Sequence, residues 1–316
     1  MTDTFKRDVV EGLSSEPKML SSKYFYDEKG DALFQQIMAM PEYYLTNAET
    51  EIFELQKRDI VRGLEVKKDE YFEIVELGAG DGTKTILLLD YLLAEGYDFK
   101  YVPIDISDNA LAQLEQSLLN RLPRLRVAPR QGEYFEVISS MHNSNYPIHV
   151  FFLGSNLGNL LDEAASVFMQ NLSDVLKEGD SLLLGLDLIK SKDIVLPAYD
   201  DAQGITKAFN LNLLERMNRE LEADFDLSAF EHCPDYNEQT GLTKSFLKSR
   251  KNQTVYIKSA DRSFDFNEGE YIQTEVSRKY NDAILNNIIQ RTSFEVNQKY
   301  MDSRQYFADF LLKIRS

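Results

Sequence analysis

Four short apolar runs, "YFEIVELGAG", "KYVPIDIS", "IHVFFLGS" and "DSLLLGLDL", follow one another through the middle of the chain, separated by helical patterns such as Ala110 to Leu119. Strands that alternate with helices build a parallel sheet covered on both faces, and such strands read as nearly continuous apolar runs. The pattern predicts a doubly wound, Rossmann-like α/β sheet. After Asp187 the pattern changes. Ile205, Phe209, Leu213, Met217 and Leu221 recur at i, i+4 along one helix face, the mark of a core-facing stripe. "LTKSFLKS", "QTVYIKS" and "EYIQTEVS" then alternate as antiparallel strands do, and the end of the chain from Ile284 reads as a helix and two strands returning to the first sheet. The expected organisation is a second, α+β substrate domain from residues 1–55 and 188–277, and a sheet domain from residues 56–187 and 278–316.

The stretch "IVELGAGDGTKTILLLDYL" is strand, glycine-rich turn and helix. Gly78 and Gly80 let the backbone approach a ligand, and the helix that follows presents free amides at its N-terminus. A dinucleotide fingerprint requires a third glycine at position 83, where this chain has Thr83, so a nicotinamide oxidoreductase is the weakest reading. Asp105 ends the next strand, where a carboxylate can accept both hydroxyls of a ribose. Glu133, beside Tyr134, follows the third. Each acid alone is what a solvated turn contains, but acids at successive strand ends around a Gly-x-Gly turn fit the C-terminal edge where parallel sheets bind ligands.

Composition narrows the ligand. The 316 residues hold 52 acids against 35 bases, a net charge of -17, which argues against a nonspecific nucleic-acid binder or an anionic-membrane protein. A small-molecule substrate and a monomeric chain are expected. The single cysteine, Cys233, excludes an internal disulfide framework. The N-terminus lacks a signal-peptide pattern and no apolar run is long enough to cross a bilayer, so a cytoplasmic protein is expected. His142, His149 and His232 fall at no metal-ligand spacing, and no metal is expected. Gly-x-Ser-x-Gly elbows and P-loops are missing from the sequence.

In "PEYYLTNAETEIF", Thr46 and Glu49 have the spacing of a capping box, which predicts a helix over Ala48 to Gln56 with Tyr43 and Tyr44 on the loop before it. Tyrosines there are either core rings or, beside a pocket, ligand contacts.

The segments "KYFYDEKGDALFQQIMAMPEYYLTNAE", "VELGAGDGTKT", "VFFLGSNLGNL", "AYDDAQGITKAFNLNLLERMNREL" and "YIQTEVSRKY" together resemble the histidine Nα-methyltransferase family of ergothioneine biosynthesis, over nearly the whole chain. The resemblance implies S-adenosylmethionine as cofactor and trimethylated histidine (hercynine) as product. It implies that Tyr26 and Tyr43 line the amino-acid pocket near the transferring methyl, with Tyr44 a packing partner. Asn159 and Tyr199 would hold the substrate carboxylate, and Glu275 with Ser277 the imidazole nitrogens. Gly78, Gly80, Lys84, Asp105, Glu133 and Tyr134 match the cofactor set. Where related enzymes often place a methionine against the imidazole, this chain has Ser245 in "LTKSFLKS", which enlarges and polarises that wall. Two alternatives remain open on the sequence: the same chemistry on another amino acid or a peptide amine, and a noncatalytic adenosine-ligand binding regulator.

Overall fold

The structure is a computed structural model and describes residues 2–105, 108–132, 134–141 and 145–315. The helices in chain order are α1 (Thr2–Ser14), α2 (Glu28–Ala39), α3 (Tyr44–Leu64), α4 (Thr85–Glu95), α5 (Asp108–Arg121), α6 (Tyr134–Met141), α7 (Asp162–Val175), α8 (Lys192–Val195), α9 (Ile205–Glu220) and α10 (Asp282–Ile289). The strands are β1 (Lys18–Met19), β2 (Phe72–Leu77), β3 (Phe99–Asp105), β4 (Arg130–Gln131), β5 (Ile148–Phe152), β6 (Ser181–Asp187), β7 (Phe230–Asn237), β8 (Leu242–Ser249), β9 (Gln253–Ile257), β10 (Arg262–Phe266), β11 (Tyr271–Arg278), β12 (Phe294–Met301) and β13 (Phe307–Ile314).

They form two compact units, Met1–Tyr44 with Lys190–Arg278, and Leu45–Ile189 with Lys279–Ser316. The larger unit is a seven-stranded sheet in the order β12-β13-β6-β5-β2-β3-β4. Strands β2 to β6 are mutually parallel, while β13 and β12 join antiparallel beyond β6. The chain runs outward from β2 through β3 and β4, then restarts with β5 on the other side of β2. That reversal is a topological switch point, where doubly wound sheets take their ligands. Every residue of β2, β5 and β6 is buried, as runs without polar alternation require. Val75, Val102, Val150, Leu184 and Phe310, one from each of five strands, meet in one core.

In the smaller unit a sheet of order β1-β11-β8-β7 and a β9-β10 hairpin pack with α9. The expected stripe is on its inner face: Phe209, Leu213, Met217 and Leu221 are buried with Phe230, Leu247 and Ile272 from the strands. Strand β7, "FEHCPDYN", escapes a sequence reading because proline and charged residues interrupt its alternation.

The capping box at Thr46 and Glu49 is not formed. Helix α3 begins at Tyr44, so Thr46 is already helical and Tyr44 is not on a loop. The spacing misleads because the Glu49 carboxylate has tertiary partners: it accepts from the Gly154 amide and pairs with Lys84. The helix also runs on to Leu64, past Gln56. No helix among the described residues is long and apolar enough to cross a membrane.

Candidate functional site

In the larger unit, the described residues of the expected cofactor set, Gly78, Gly80, Lys84, Asp105 and Tyr134, follow or end strands at the C-terminal edge of the sheet. The β2 strand ends at Leu77, and Gly78, Gly80 and Gly82 follow with φ of 67°, 56° and 67°, a left-handed path that side chains disfavour. A Cβ on Gly78 would lie 2.8 Å from the Tyr134 hydroxyl and 3.4 Å from Asn156 Nδ2, so only glycine lets these groups approach. At Gly80 a Cβ would meet nothing within 4 Å, which leaves open space beside the backbone on the turn that leads into α4. Lys84 is the N-cap residue of α4. Asp105, half-buried, closes β3 in register with Gln131, and its carbonyl accepts from Gly132 at 3.1 Å. Tyr134 opens α6, edge-on to Phe152 at 6.0 Å. Glu133 and His142 lie outside the described residues. Asn159 is exposed at the end of the short turn Asn156–Asn159, which follows β5.

Behind this edge lies buried charge. Glu76, on β2, accepts from the Thr85 hydroxyl at 2.8 Å and the Tyr101 hydroxyl at 2.6 Å. Burial nevertheless pushes its carboxyl up to about 7, because desolvation of the charged form outweighs the two hydrogen bonds.

In the smaller unit the expected acceptor residues fall into two groups. One is a polar sheet face: Ser245 on β8 is directly opposite Glu275 on β11, and its hydroxyl donates to Glu275 Oε2 at 3.0 Å. Ser277, two residues along and so on the same face, accepts from the Tyr199 hydroxyl at 2.8 Å. The pairing slips at Thr274, a bulge residue whose hydroxyl turns to Asn210 at 2.6 Å. Glu275 is half-buried, and the bases after it are engaged elsewhere: Arg278 donates to the Thr240 carbonyl, and Lys279 is fully buried on Asp187 at 2.7 Å.

The second group is aromatic. Tyr26 stands edge-on to Phe34 at 5.6 Å and to Phe209 at 5.9 Å, and Phe34 is edge-on to Tyr43 at 6.3 Å. Tyr44 is buried instead, with Lys190 over its ring at 4.4 Å. Helix α9 fixes the Tyr26 segment. Its Arg216 donates to the carbonyls of Tyr24 and Tyr26 at 3.0 and 3.3 Å, and Asn212 to Asp27 at 2.8 Å.

Sequence reasoning missed Phe34, Phe209, Arg216 and His232. His232 is buried and its Nε2 is 2.8 Å from the Tyr199 carbonyl; a carbonyl only accepts, so the ring donates from Nε2 and holds the Tyr199 backbone. Burial lowers the His232 pKa, against the opposing pull of that carbonyl and of Asp200 and Asp201, so the ring is neutral at physiological pH.

A doubly wound sheet with a glycine-lined turn at its switch point and an acid at the end of the neighbouring strand, joined to a separate α+β unit, is built as S-adenosylmethionine-dependent methyltransferases are, and that is the class of this protein. A family model described as "Histidine-specific methyltransferase, SAM-dependent" matches residues 5–314, and the chain belongs to that family. It is 37% identical over 278 residues to the histidine N-alpha-methyltransferase of Mycolicibacterium smegmatis, covering 88% of this chain and 85% of that protein. It is also 37% identical to the enzyme of the same name from Mycobacterium tuberculosis, over 87% and 84% of the two chains. An L-tryptophan methyltransferase of Psilocybe serbica is 27% identical over 100% of this chain and 94% of its own.

Proposed function

We propose that the chain methylates the α-amine of free L-histidine, three times in succession, at the expense of S-adenosylmethionine. The observation that carries this reading is the polar face of Ser245, Glu275, Ser277 and Tyr199. Imidazole donates from one nitrogen and accepts at the other; a carboxylate with several acceptor sites and a serine hydroxyl two residues along match that pair. The names of the relatives from both mycobacterial species support histidine as acceptor. Asn159 and Tyr199 are assigned to the substrate carboxylate, and Gly78, Gly80, Lys84, Asp105, Glu133 and Tyr134 to the cofactor.

S-adenosylmethionine supplies an electrophilic methyl on a sulfonium. The chain's own residues must hold a neutral amine in line with it, and positioning of this kind supplies most of the acceleration. Free amino groups are largely protonated near neutral pH, so a proton leaves before each transfer. Tyr26 and Tyr43 are assigned to the amine: their hydroxyl oxygens can accept hydrogen bonds from its N–H groups and hold its lone pair toward the methyl, while the proton leaves to solvent water. As methyl groups accumulate the amine becomes a permanent cation, which the rings of Tyr26, Phe34, Tyr43 and Phe209 favour.

Ser245 is the observation behind a second reading, in which the same chemistry acts on a larger amino acid: a serine opposite Glu275 leaves more room than a methionine. Glu275→Leu separates the two. With histidine as the natural acceptor, kcat/KM for histidine should fall roughly 10- to 100-fold, since a buried N–H loses its charged partner. Cofactor affinity should be unchanged, and relative activity on tryptophan or phenylalanine should rise. Equal histidine kinetics in the two proteins would transfer the proposal to the second reading.

A further inference from the structure

We infer that Glu49 is a positioning residue for the cofactor turn, acting through Lys84. All the groups involved belong to the larger unit. Glu49, on α3, is fully buried. Its two carboxylate oxygens accept from the Gly154 amide, just past the end of β5, at 2.9 and 3.1 Å, and Oε2 also takes the Lys84 ammonium. Lys84 caps α4, directly after the Gly78–Gly82 turn. One buried carboxylate thus ties together the loops that leave β2 and β5, the two strands flanking the switch point.

The surroundings are built for this pair. A Cβ on Gly154 would lie 3.5 Å from Lys84 Nζ, and Gly154 has a φ of 71° that other residues resist. On the far side, a Cβ on Gly185 would overlap Glu49 Oε1 and come within 3.0 Å of Asp309 Oδ1, so glycine there makes the space in which the two carboxyls face each other. Among the described residues, neither Asp309 oxygen has a hydrogen-bond donor in range. Burial first, and then the facing Glu49, hold the Asp309 carboxyl well above the usual carboxylate range. Burial opposes the charge on Lys84, but Glu49 more than reverses that, with help from Glu76 and Asp309, and the amine stays an ammonium. The result is one cation, one-fifth exposed, aimed by one carboxylate.

A lysine side chain has much rotamer entropy to lose when it meets a ligand, and a partner that fixes it beforehand removes that cost from binding. Lys84 is a cation at the end of the glycine turn proposed above for S-adenosylmethionine, whose amino-acid end bears a carboxylate, and the inference rests on that assignment. The inference depends on cofactor binding alone and holds whichever amino acid is methylated.

The test is calorimetric titration of the full chain with S-adenosylmethionine in wild type, Glu49→Gln, Lys84→Met and the double variant. Glu49→Gln should weaken binding about tenfold, the scale of one charge-assisted hydrogen bond, and the double variant should bind no worse than Lys84→Met. In turnover, KM for the cofactor should rise while KM for the acceptor amino acid holds. Losses that add in the double variant would assign Glu49 a separate, structural role and overturn the inference, and so would unchanged or tighter binding in Glu49→Gln, the latter meaning that Glu49 competes with the cofactor for Lys84. If Glu49→Gln does not fold, Glu49→Asp, which keeps the charge on a shorter arm, takes its place in the same cycle with the same outcomes.

Discussion

Lys84 in the larger unit is held by a buried carboxylate, whereas Tyr199 in the smaller unit is held by a serine hydroxyl and a neutral histidine. The contrast extends to their neighbours. Behind the glycine turn and along β6 and β13 lie Glu49, Glu76, Asp187 and Asp309, each almost or fully buried, with Lys84 and Lys279 as the counter-charges. Taking such charges out of water costs several kcal/mol each unless they are paired, so this region is organised by a few strong, mutually dependent interactions. The polar face of Ser245, Glu275, Ser277 and Tyr199 is instead organised by hydroxyl hydrogen bonds: the neutral one from Tyr199 to Ser277 is worth about 1 kcal/mol and the charge-assisted one from Ser245 to Glu275 roughly 1.5 to 3 kcal/mol. A cofactor that never varies can be met by a stiff, charge-fixed frame. A face of small neutral hydroxyls around one carboxylate can be retuned by single substitutions.

The largest effect expected from this contrast is on stability. Glu76 has its carboxyl raised to about 7 by burial, so the folded protein keeps a proton that the unfolded chain releases near the ordinary carboxylate value of 4.5. Stability therefore falls as pH rises from that value to about 7, by roughly 2 to 3 kcal/mol between pH 5 and pH 8. Glu76→Gln should remove that slope. The variant has a constant offset from losing an acceptor oxygen, so the slope of urea-unfolding free energy with pH, not its height, is the readout. Identical slopes in the two proteins would mean that buried charge does not distinguish the larger unit.

A smaller effect is expected from Tyr199→Phe, which deletes the hydroxyl bonded to Ser277 and keeps the ring. It should cost about 1 kcal/mol, or roughly fivefold in kcat/KM for the acceptor, with the same ratio at pH 7 and pH 9. A ratio that changes strongly with pH would mean that a group titrating between pH 7 and pH 9 governs this face, and the contrast with the larger unit would fail.

The two regions also differed in how much of them could be read from the sequence. The glycine turn, Lys84 and Asp105 are close to strand ends whose apolar runs are unmistakable, so their convergence at one sheet edge follows from the fold class alone. Glu275 and Ser277 share a face because side chains alternate along a strand, which is also a local rule. The pairing of Ser245 with Glu275 depends on a register broken by the bulge at Thr274, and no local pattern announces that bulge, whose buried threonine bonds the distant Asn210. Phe34, Phe209, Arg216 and His232 were illegible for a related reason. Phe34 and Phe209 have the residue type and spacing of ordinary core, Arg216 and His232 belong to no motif, and only tertiary packing brings Phe34 and Phe209 to Tyr26, or His232 to the Tyr199 carbonyl. Glu49 was misread outright: its spacing from Thr46 suits a capping box, but a lysine 35 positions away in sequence claims its carboxylate.

The proposal for the smaller unit turns on histidine being the free amino acid it reads. Purified protein incubated with S-adenosylmethionine and an equimolar mixture of free amino acids plus histidinamide, followed by mass spectrometry, tests it most directly. Histidine bearing one, two and finally three added methyl groups is expected, with histidinamide left largely unmodified because it lacks the carboxylate assigned to Asn159 and Tyr199. Preferential methylation of another amino acid, or histidinamide modified as readily as histidine, would contradict it.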